Sequence, residues 1–275
     1  MLILPDIFKR TWGIQSNPFW PNAIREVRRQ SPDFLFLAEV YWDLEWELQQ
    51  QGFDFCYDKR LYDRLREGHA KPVRKHLVAG LDYQSRLARF VENHDEARAA
   101  QGFSFPKHCA AAIVTYLTPG LRFIHEGQME GRLFRISPHL VRAPAEPINE
   151  VVQGFYQKLL AILRLPLVRQ GDWRLLDSLP CENSNHSNEN IVTFQWQLTE
   201  GATLLAVVNL SEKPSQAFVK LIMPNRGDSE NGTLYLMEDL LNPAQTSQEH
   251  SVTPENGFRF ELPGWGVSVQ LLVPT

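Results

Sequence analysis

Short apolar runs alternate with amphipathic stretches from the N-terminus to about Pro166. Leu35 to Val40 is brief and apolar and follows the turn-forming Ser31-Pro32-Asp33, which predicts a buried strand. Before it, Trp20, Ala23, Ile24 and Val27 fall at helical spacing within Phe19 to Gln30, with arginines between them. After it, Leu44 and Leu48 among Glu and Gln residues predict a helix ending at Gly52. The alternation recurs, with strands at Phe53 to Tyr57, Leu87 to Val91 and Leu121 to Ile124. Helices run through Leu61 and Leu65 to Gly68, over Pro72 to Ser85, over Lys107 to Leu117 and over Ile148 to Leu163. Serial β-then-α units predict parallel strands joined by crossover helices. Periodicity alone does not choose between a barrel and an open sheet.

Beyond Trp173 the pattern changes. A polar stretch from Cys181 to Asn190 leads into short alternating runs separated by turn residues: Ile191 to Trp196, Thr203 to Leu210, Gln216 to Met223, Thr233 to Met237, Gly257 to Leu262 and Gly266 to Leu272. These predict an antiparallel β domain, a sandwich. The expected organisation is therefore an α/β domain over residues 1–170 and a β domain over residues 171–275.

Composition narrows the function classes. A formal net charge of −4 removes the electrostatic case for nucleic acid, which is held by a basic surplus. The apolar start is too short for a signal peptide and is broken by Pro5 and Asp6, and no later run approaches a membrane span, so a cytoplasmic location is expected. Cys56, Cys109 and Cys181 are odd in number and far apart, which reads as buried thiols in a reducing compartment, without zinc or disulfides.

Three stretches carry candidate chemistry. Glu39 closes an apolar strand beside Tyr41 and Trp42. In a barrel, catalytic groups lie at the C-terminal ends of strands, and aromatic neighbours would desolvate the carboxyl and raise its pKa, as a general acid requires. The alternative is a first-turn glutamate favoured by the next helix dipole. Asn93, His94 and Asp95 follow the apolar run Leu87 to Val91, and could bind adjacent hydroxyls of one sugar ring. Equally, Asp95 could cap a helix beginning near Glu96. A metal held by His94 and Asp95 lacks further ligands at recognisable spacing, so no metal and no cofactor is expected. Pro119 to Arg132 reads as a third loop of the same mouth or as a solvated loop. Tyr41, Trp42, Trp46, Tyr57 and Phe134 either stack on sugars or belong to the core.

Taken together, Phe36-Leu37-Ala38-Glu39-Val40-Tyr41-Trp42, Asn93-His94-Asp95 and Pro119 to Gln128 resemble the α-amylase family, glycoside hydrolase family thirteen. The first is similar to the family's fifth-strand motif, the second to its seventh-strand motif and the third to its eighth-strand segment, with Gly127-Gln128-Met129 where glycine-x-glutamate is usual. Val207-Val208-Asn209-Leu210-Ser211 resembles the domain that follows the barrel. The resemblance implies the second half of a TIM (β/α)8 barrel followed by an antiparallel β-sandwich. Glu39 becomes the general acid/base and Asp95 the transition-state stabiliser, with Asn93, His94, Tyr41 and Trp42 binding substrate.

One departure matters most. The family's nucleophile sits in an arginine-x-aspartate motif on the fourth strand, and none stands upstream of Glu39; Asp6 has no arginine two residues before it. The expectation is a retaining glycosidase acting on α-glucosidic bonds of an α-glucan or maltooligosaccharide, inactive as this chain alone. A start assigned at an internal methionine, a complementary N-terminal half or self-association would account for the open barrel. Two alternatives within carbohydrate chemistry are an α-glucan transglycosylase and a non-catalytic carbohydrate-binding scaffold. A metal-dependent or phosphate-handling barrel fits the β/α pattern, but lacks a phosphate loop and a ligand set.

Overall fold

The structure, a computed structural model, describes residues 4–15, 17–41, 43–137, 139, 142–198, 201–222, 233–242, 248–252 and 257–274. In chain order its first part runs α1 (Leu4–Trp12), α2 (Trp20–Gln30), β1 (Leu37–Ala38), α3 (Glu45–Gln50), β2 (Phe55–Tyr57), α4 (Lys59–Glu67), α5 (Ala70–Leu77) and α6 (Leu81–Gln84). It continues through β3 (Leu87–Arg89), α7 (Ala99–Gly102), α8 (Phe105–Leu117), β4 (Leu121–Arg122), α9 (Glu150–Leu163) and α10 (Pro166–Gln170). The remainder is β5 (Asp172–Leu176), β6 (Ser178–Leu179), a 3₁₀ turn (Ser187–Asn190), β7 (Ile191–Gln197), β8 (Thr203–Asn209), β9 (Ser215–Val219), β10 (Thr233–Asp239), β11 (Gln248–Val252), β12 (Phe258–Leu262) and β13 (Val267–Pro274). No helix among the described residues is long and apolar enough to cross a membrane.

The chain forms two compact units. The first comprises Met1–Arg60, Ala79–Arg89 and Pro119–Phe123. Its sheet is parallel throughout, in the order β1-β2-β3-β4, with Leu37 opposite Phe55, Cys56 opposite Leu87 and Ala88 opposite Leu121. The β/α alternation thus gives the parallel pairing expected of it, but the strands are shorter than the apolar runs. Leu35 to Val40 pairs only at Leu37 and Ala38, and among the described residues β1 has a neighbour on one side only. Ile24, Ala38, Val40, Leu48, Phe53 and Cys56 form the core beneath it. Arg28 fastens α2 to the sheet: it donates to Asp54 Oδ2 (2.7 Å) and to the Gly52 carbonyl (2.9 Å), while Asp54 Oδ2 accepts from the Phe36 amide (2.7 Å). Deeper in the sheet, Arg89 and Asp58 form an ion pair at 3.2 Å that water scarcely reaches.

The second unit comprises Leu61–Val78, Phe90–Thr118 and Ile124–Thr275. It holds a six-stranded sheet, ordered β11-β10-β13-β8-β7-β5, and a three-stranded sheet, β12-β9-β6. Central strand β8 is buried on both faces, which explains its uninterrupted apolar run. Leu205 and Val207 point to the layer shared with Val219 and Phe260 of the smaller sheet. Leu204, Ala206 and Val208 point the other way, into a core with Ala111, Val114, Tyr156 and Leu159 of α8 and α9. Trp196 locks this packing by donating its indole N–H to the Leu117 carbonyl at 2.6 Å.

Several elements depart from the expected ones. The helix expected over Pro72 to Ser85 is two helices, α5 and α6, parted at Gly80, whose extended backbone starts the second. Amphipathic α1 and strands β5, β6 and β11 were not expected; β5 pairs with β7 from Trp173 opposite Trp196. Cys56 and Cys109 are buried as expected, whereas Cys181 is half-buried; all three are free thiols.

Candidate active site

Glu39 and Tyr41 belong to the first unit, and Asn93, His94 and Asp95 to the second. Glu39 directly follows β1, at the end of the strand where the chain leaves the sheet. Its carboxyl is exposed instead of enclosed by the aromatics beside it, and Oε1 accepts a hydrogen bond from Tyr41 Oη at 3.0 Å. Trp42 lies outside the described residues. Of the other aromatic candidates, Tyr57 is core, packed on Phe123 at 5.5 Å between centroids. Trp46 and Phe134 are exposed.

The Asn93–Asp95 turn follows β3. No helix among the described residues starts at Glu96 for Asp95 to cap; the group that caps the turn is Asn93, whose Oδ1 accepts the backbone N–H groups of Asp95 and Glu96, both at 2.9 Å. Asp95 is thereby freed from the capping role, and its carboxyl is exposed. His94 Nε2 lies 3.4 Å from Asp95 Oδ2. The His94 carbonyl accepts from Arg135 Nε at 3.3 Å, which holds the turn from outside. Asn93 is buried, with Nδ2 lacking a hydrogen-bond partner among the described residues.

Beneath this turn lies an ionic network that the sequence pattern did not single out. Glu92 Oε1 accepts from Arg98 Nη1 (2.7 Å) and lies 3.0 Å from His125 Nδ1, while Oε2 accepts the Ala99 amide (2.7 Å). Arg98 also donates to the carbonyls of Glu126 (2.6 Å) and Phe134 (3.1 Å). One buried carboxylate therefore ties the turn after β3 to the loop after β4. The only hint in the sequence is position, since Glu92 sits where an apolar run enters a polar cluster.

In the third loop Met129 stands where glycine-x-glutamate has its acid, and Gln128 before it is buried. Its Nε2 donates to Tyr116 Oη and Tyr156 Oη, both at 2.8 Å, and Tyr156 Oη lies 2.8 Å from His108 Nε2. A neutral amide suits this buried position, where an ionised carboxylate would need a counter-charge. Burial pushes the His108 pKa down to about 4, so the ring is neutral. Beside this loop a hollow of about 450 Å³ is lined by His125, Glu126, Met129, Arg132 and Glu146.

In the first unit Glu45, the opening residue of α3, is a second carboxyl that sequence reasoning missed. It is buried, and Oε1 has no hydrogen-bond partner among the described residues. Desolvation raises its pKa, and the nearby charges of Asp58 and Asp43 add to the rise.

The chain is thus of mixed class, a parallel β/α sheet combined with antiparallel sheets, with polar groups following the C-terminal ends of the parallel strands. Its fold is a partial α-amylase-like fold, similar to many α-amylase-family structures built on TIM barrels. No family model matches the sequence, and no curated protein does. Among solved structures, the maltogenic α-amylase AmyB from Thermotoga neapolitana is similar with a TM-score of 0.70 and 16% identity, over 100% of this chain and 65% of that one. The Geobacillus thermoleovorans α-amylase, solved with acarbose, gives 0.70 and 16% over 94% of this chain and 57% of that one. An Anoxybacillus α-amylase gives 0.68 and 19% over 93% and 56%. At these identities the shared property is the fold, and this chain spans 56 to 65% of the length of these three relatives.

Proposed function

We propose that this chain supplies the second half of an α-amylase-type retaining active site, β1 to β4 serving as strands five to eight of a (β/α)8 barrel and the antiparallel sheets as a terminal β-sandwich. Glu39 is the general acid/base. Asp95 grips ring hydroxyls and stabilises the transition state, with His94 beside it and Tyr41 orienting the acid. The observation that carries this reading is the order of groups along a parallel sheet. Glu39 follows β1 and the Asn93–Asp95 turn follows β3, so both leave C-terminal strand ends, where barrel enzymes carry their chemistry.

Retaining hydrolysis needs a second carboxyl, roughly 5–5.5 Å from the first, to form the glycosyl-enzyme. No residue of this chain is assigned as the nucleophile, and a complementary barrel half would carry it. Removing a nucleophile from a cooperative set costs on the order of a million-fold in turnover. The substrate class is an α-glucan or maltooligosaccharide; hydrolysis and transglycosylation use the same carboxylates and separate only in their products.

Acarbose supplies the test. Calorimetric titration of the chain is expected to show binding that Asp95→Asn weakens at least about tenfold, the loss of roughly 1.4 kcal/mol of hydroxyl contacts. Equal binding by the two proteins would overturn the assignment of Asp95.

A further inference from the structure

A larger hollow than the one beside His125, about 690 Å³, is lined wholly by residues of the second unit, and neither His94 nor Asp95 is among them. Its floor is the Gly68 turn and the start of α5, and its walls are the 3₁₀ turn and the loop from β8 to β9. Trp265, in the turn between β12 and β13, completes the lining.

Trp265 is unusual. Its φ of 57° lies in the left-handed region, where a bulky side chain costs roughly 1–3 kcal/mol and glycine costs little. The turn is held firmly: the Trp265 amide donates to the Ser211 carbonyl (2.8 Å), and that of Gly266 to Pro263 (2.9 Å). Glycine would serve the backbone better, so it is the ring that the position requires. That ring lies half-buried, with Lys107 Nζ 4.7 Å from its centroid. It approaches Gly68 so closely that a Cβ there would come within 2.5 Å of Cη2.

The charges around the ring are mixed. Glu67, Glu189 and Glu212 offer acceptors, while Lys71, Arg74 and Lys107 offer donors. Lys107 already donates a hydrogen bond to the Arg66 carbonyl (2.6 Å), and Arg74 donates to Ser178 Oγ (3.1 Å) and Asp177 (3.2 Å). A phosphate would meet three carboxylates here and a cation would meet three basic groups. A neutral polyol both donates and accepts, so it suits both signs, and its apolar C–H face stacks on an indole. The volume falls within the usual range for small-ligand sites, about 300–1,000 Å³.

We propose that this groove is a second carbohydrate site, binding a short neutral oligosaccharide with one ring on Trp265. Choosing an α-glucan as its ligand rests on the glycosidase reading above; the groove's chemistry does not. Two substitutions address it, and the second leaves the packed core untouched. Trp265→Gly relieves the backbone, and Lys71→Trp places bulk on an exposed position of the groove floor.

The experiment is calorimetric titration of the full chain with maltoheptaose, in an Asp95→Asn background that removes the other site's grip. The Asp95→Asn chain is expected to bind, and either further substitution to weaken that binding at least about tenfold, with the thermal midpoint of Lys71→Trp unchanged. Binding that both substitutions leave intact, or no binding by the Asp95→Asn chain, would overturn the groove assignment. The glycosidase reading fails on a different result: acarbose binding, measured with Trp265→Gly in place to silence the groove, that Asp95→Asn leaves unchanged.

Discussion

Glu92 Oε1 and Arg98 Nη1 stand 2.7 Å apart with their side chains 1% and 3% exposed, a charge pair almost wholly removed from water. Such a pair adds little net stability over an apolar one, but losing one member strands the other charge in a medium that cannot solvate it. Here the stranded charge would be the guanidinium that also holds the Glu126 and Phe134 carbonyls.

Glu92→Ala should therefore destabilise the protein by about 3–5 kcal/mol. Glu92→Gln, which keeps an acceptor for Ala99, should cost less. Denaturant midpoints with unchanged slopes are the measurement. A Glu92→Ala protein within about 1 kcal/mol of the parent would show that the network is not held as described.

His108 gives stability a pH dependence. Its folded pKa is depressed to about 4 by burial, below the ordinary 6.5, so between those values the unfolded chain binds the extra proton. Its contribution is complete above pH 6.5 and falls away as pH drops toward 4, by about 3 kcal/mol in all. Unfolding curves of the parent and of His108→Gln should diverge in slope within this window and run parallel above it.

Glu45 acts in the opposite sense. Its folded pKa is raised above 4.5 by desolvation, so its stabilising share is whole below that value and is lost as pH rises through the folded pKa. Glu45→Gln should raise the unfolding midpoint at pH 7.5 and lose that advantage near pH 4. A variant less stable than the parent at pH 7.5 would mean that the carboxylate is better solvated than its surroundings indicate.

On the proposed function, the chain by itself should release no glucose or maltose from maltoheptaose at an enzymatic rate. Its Glu39→Gln variant should be indistinguishable from it in a product assay by chromatography. Turnover above about 1 s⁻¹ by the chain alone, within the ordinary enzyme range, would mean that a nucleophile lies within these residues after all.

Much of the fold was legible because burial leaves a periodic trace. Trp20 to Gln30 and the apolar run of β8 were readable from spacing and composition alone. Boundaries were harder. Leu35 to Val40 reads as six strand residues, yet a strand is defined by its neighbour, and β1 pairs only at Leu37 and Ala38. Edge strand β5 and two-residue β6 were missed because runs this short carry little periodicity to read.

The candidate site was legible only in part. Glu39 and Asp95 were visible as acids at the ends of apolar runs, whereas the task of Asn93 was not. Asparagine and aspartate are both good caps, and only backbone geometry assigned the turn's amides to Asn93 Oδ1. Glu92 and Gln128 look like any surface polar residue until His125 and Tyr156 arrive from 33 and 28 positions away.

By itself the amino-acid order determined which segments bury a face, that successive β/α units pair in parallel, and which acids follow the strands. These are local properties, set by side-chain periodicity and chain direction. Tertiary structure alone decided which polar groups lie buried, which carboxyls share protons with distant partners, and that Trp265 is held over a groove. Burial and hydrogen bonding there depend on atoms brought together from remote parts of the chain, and no window along the chain contains them.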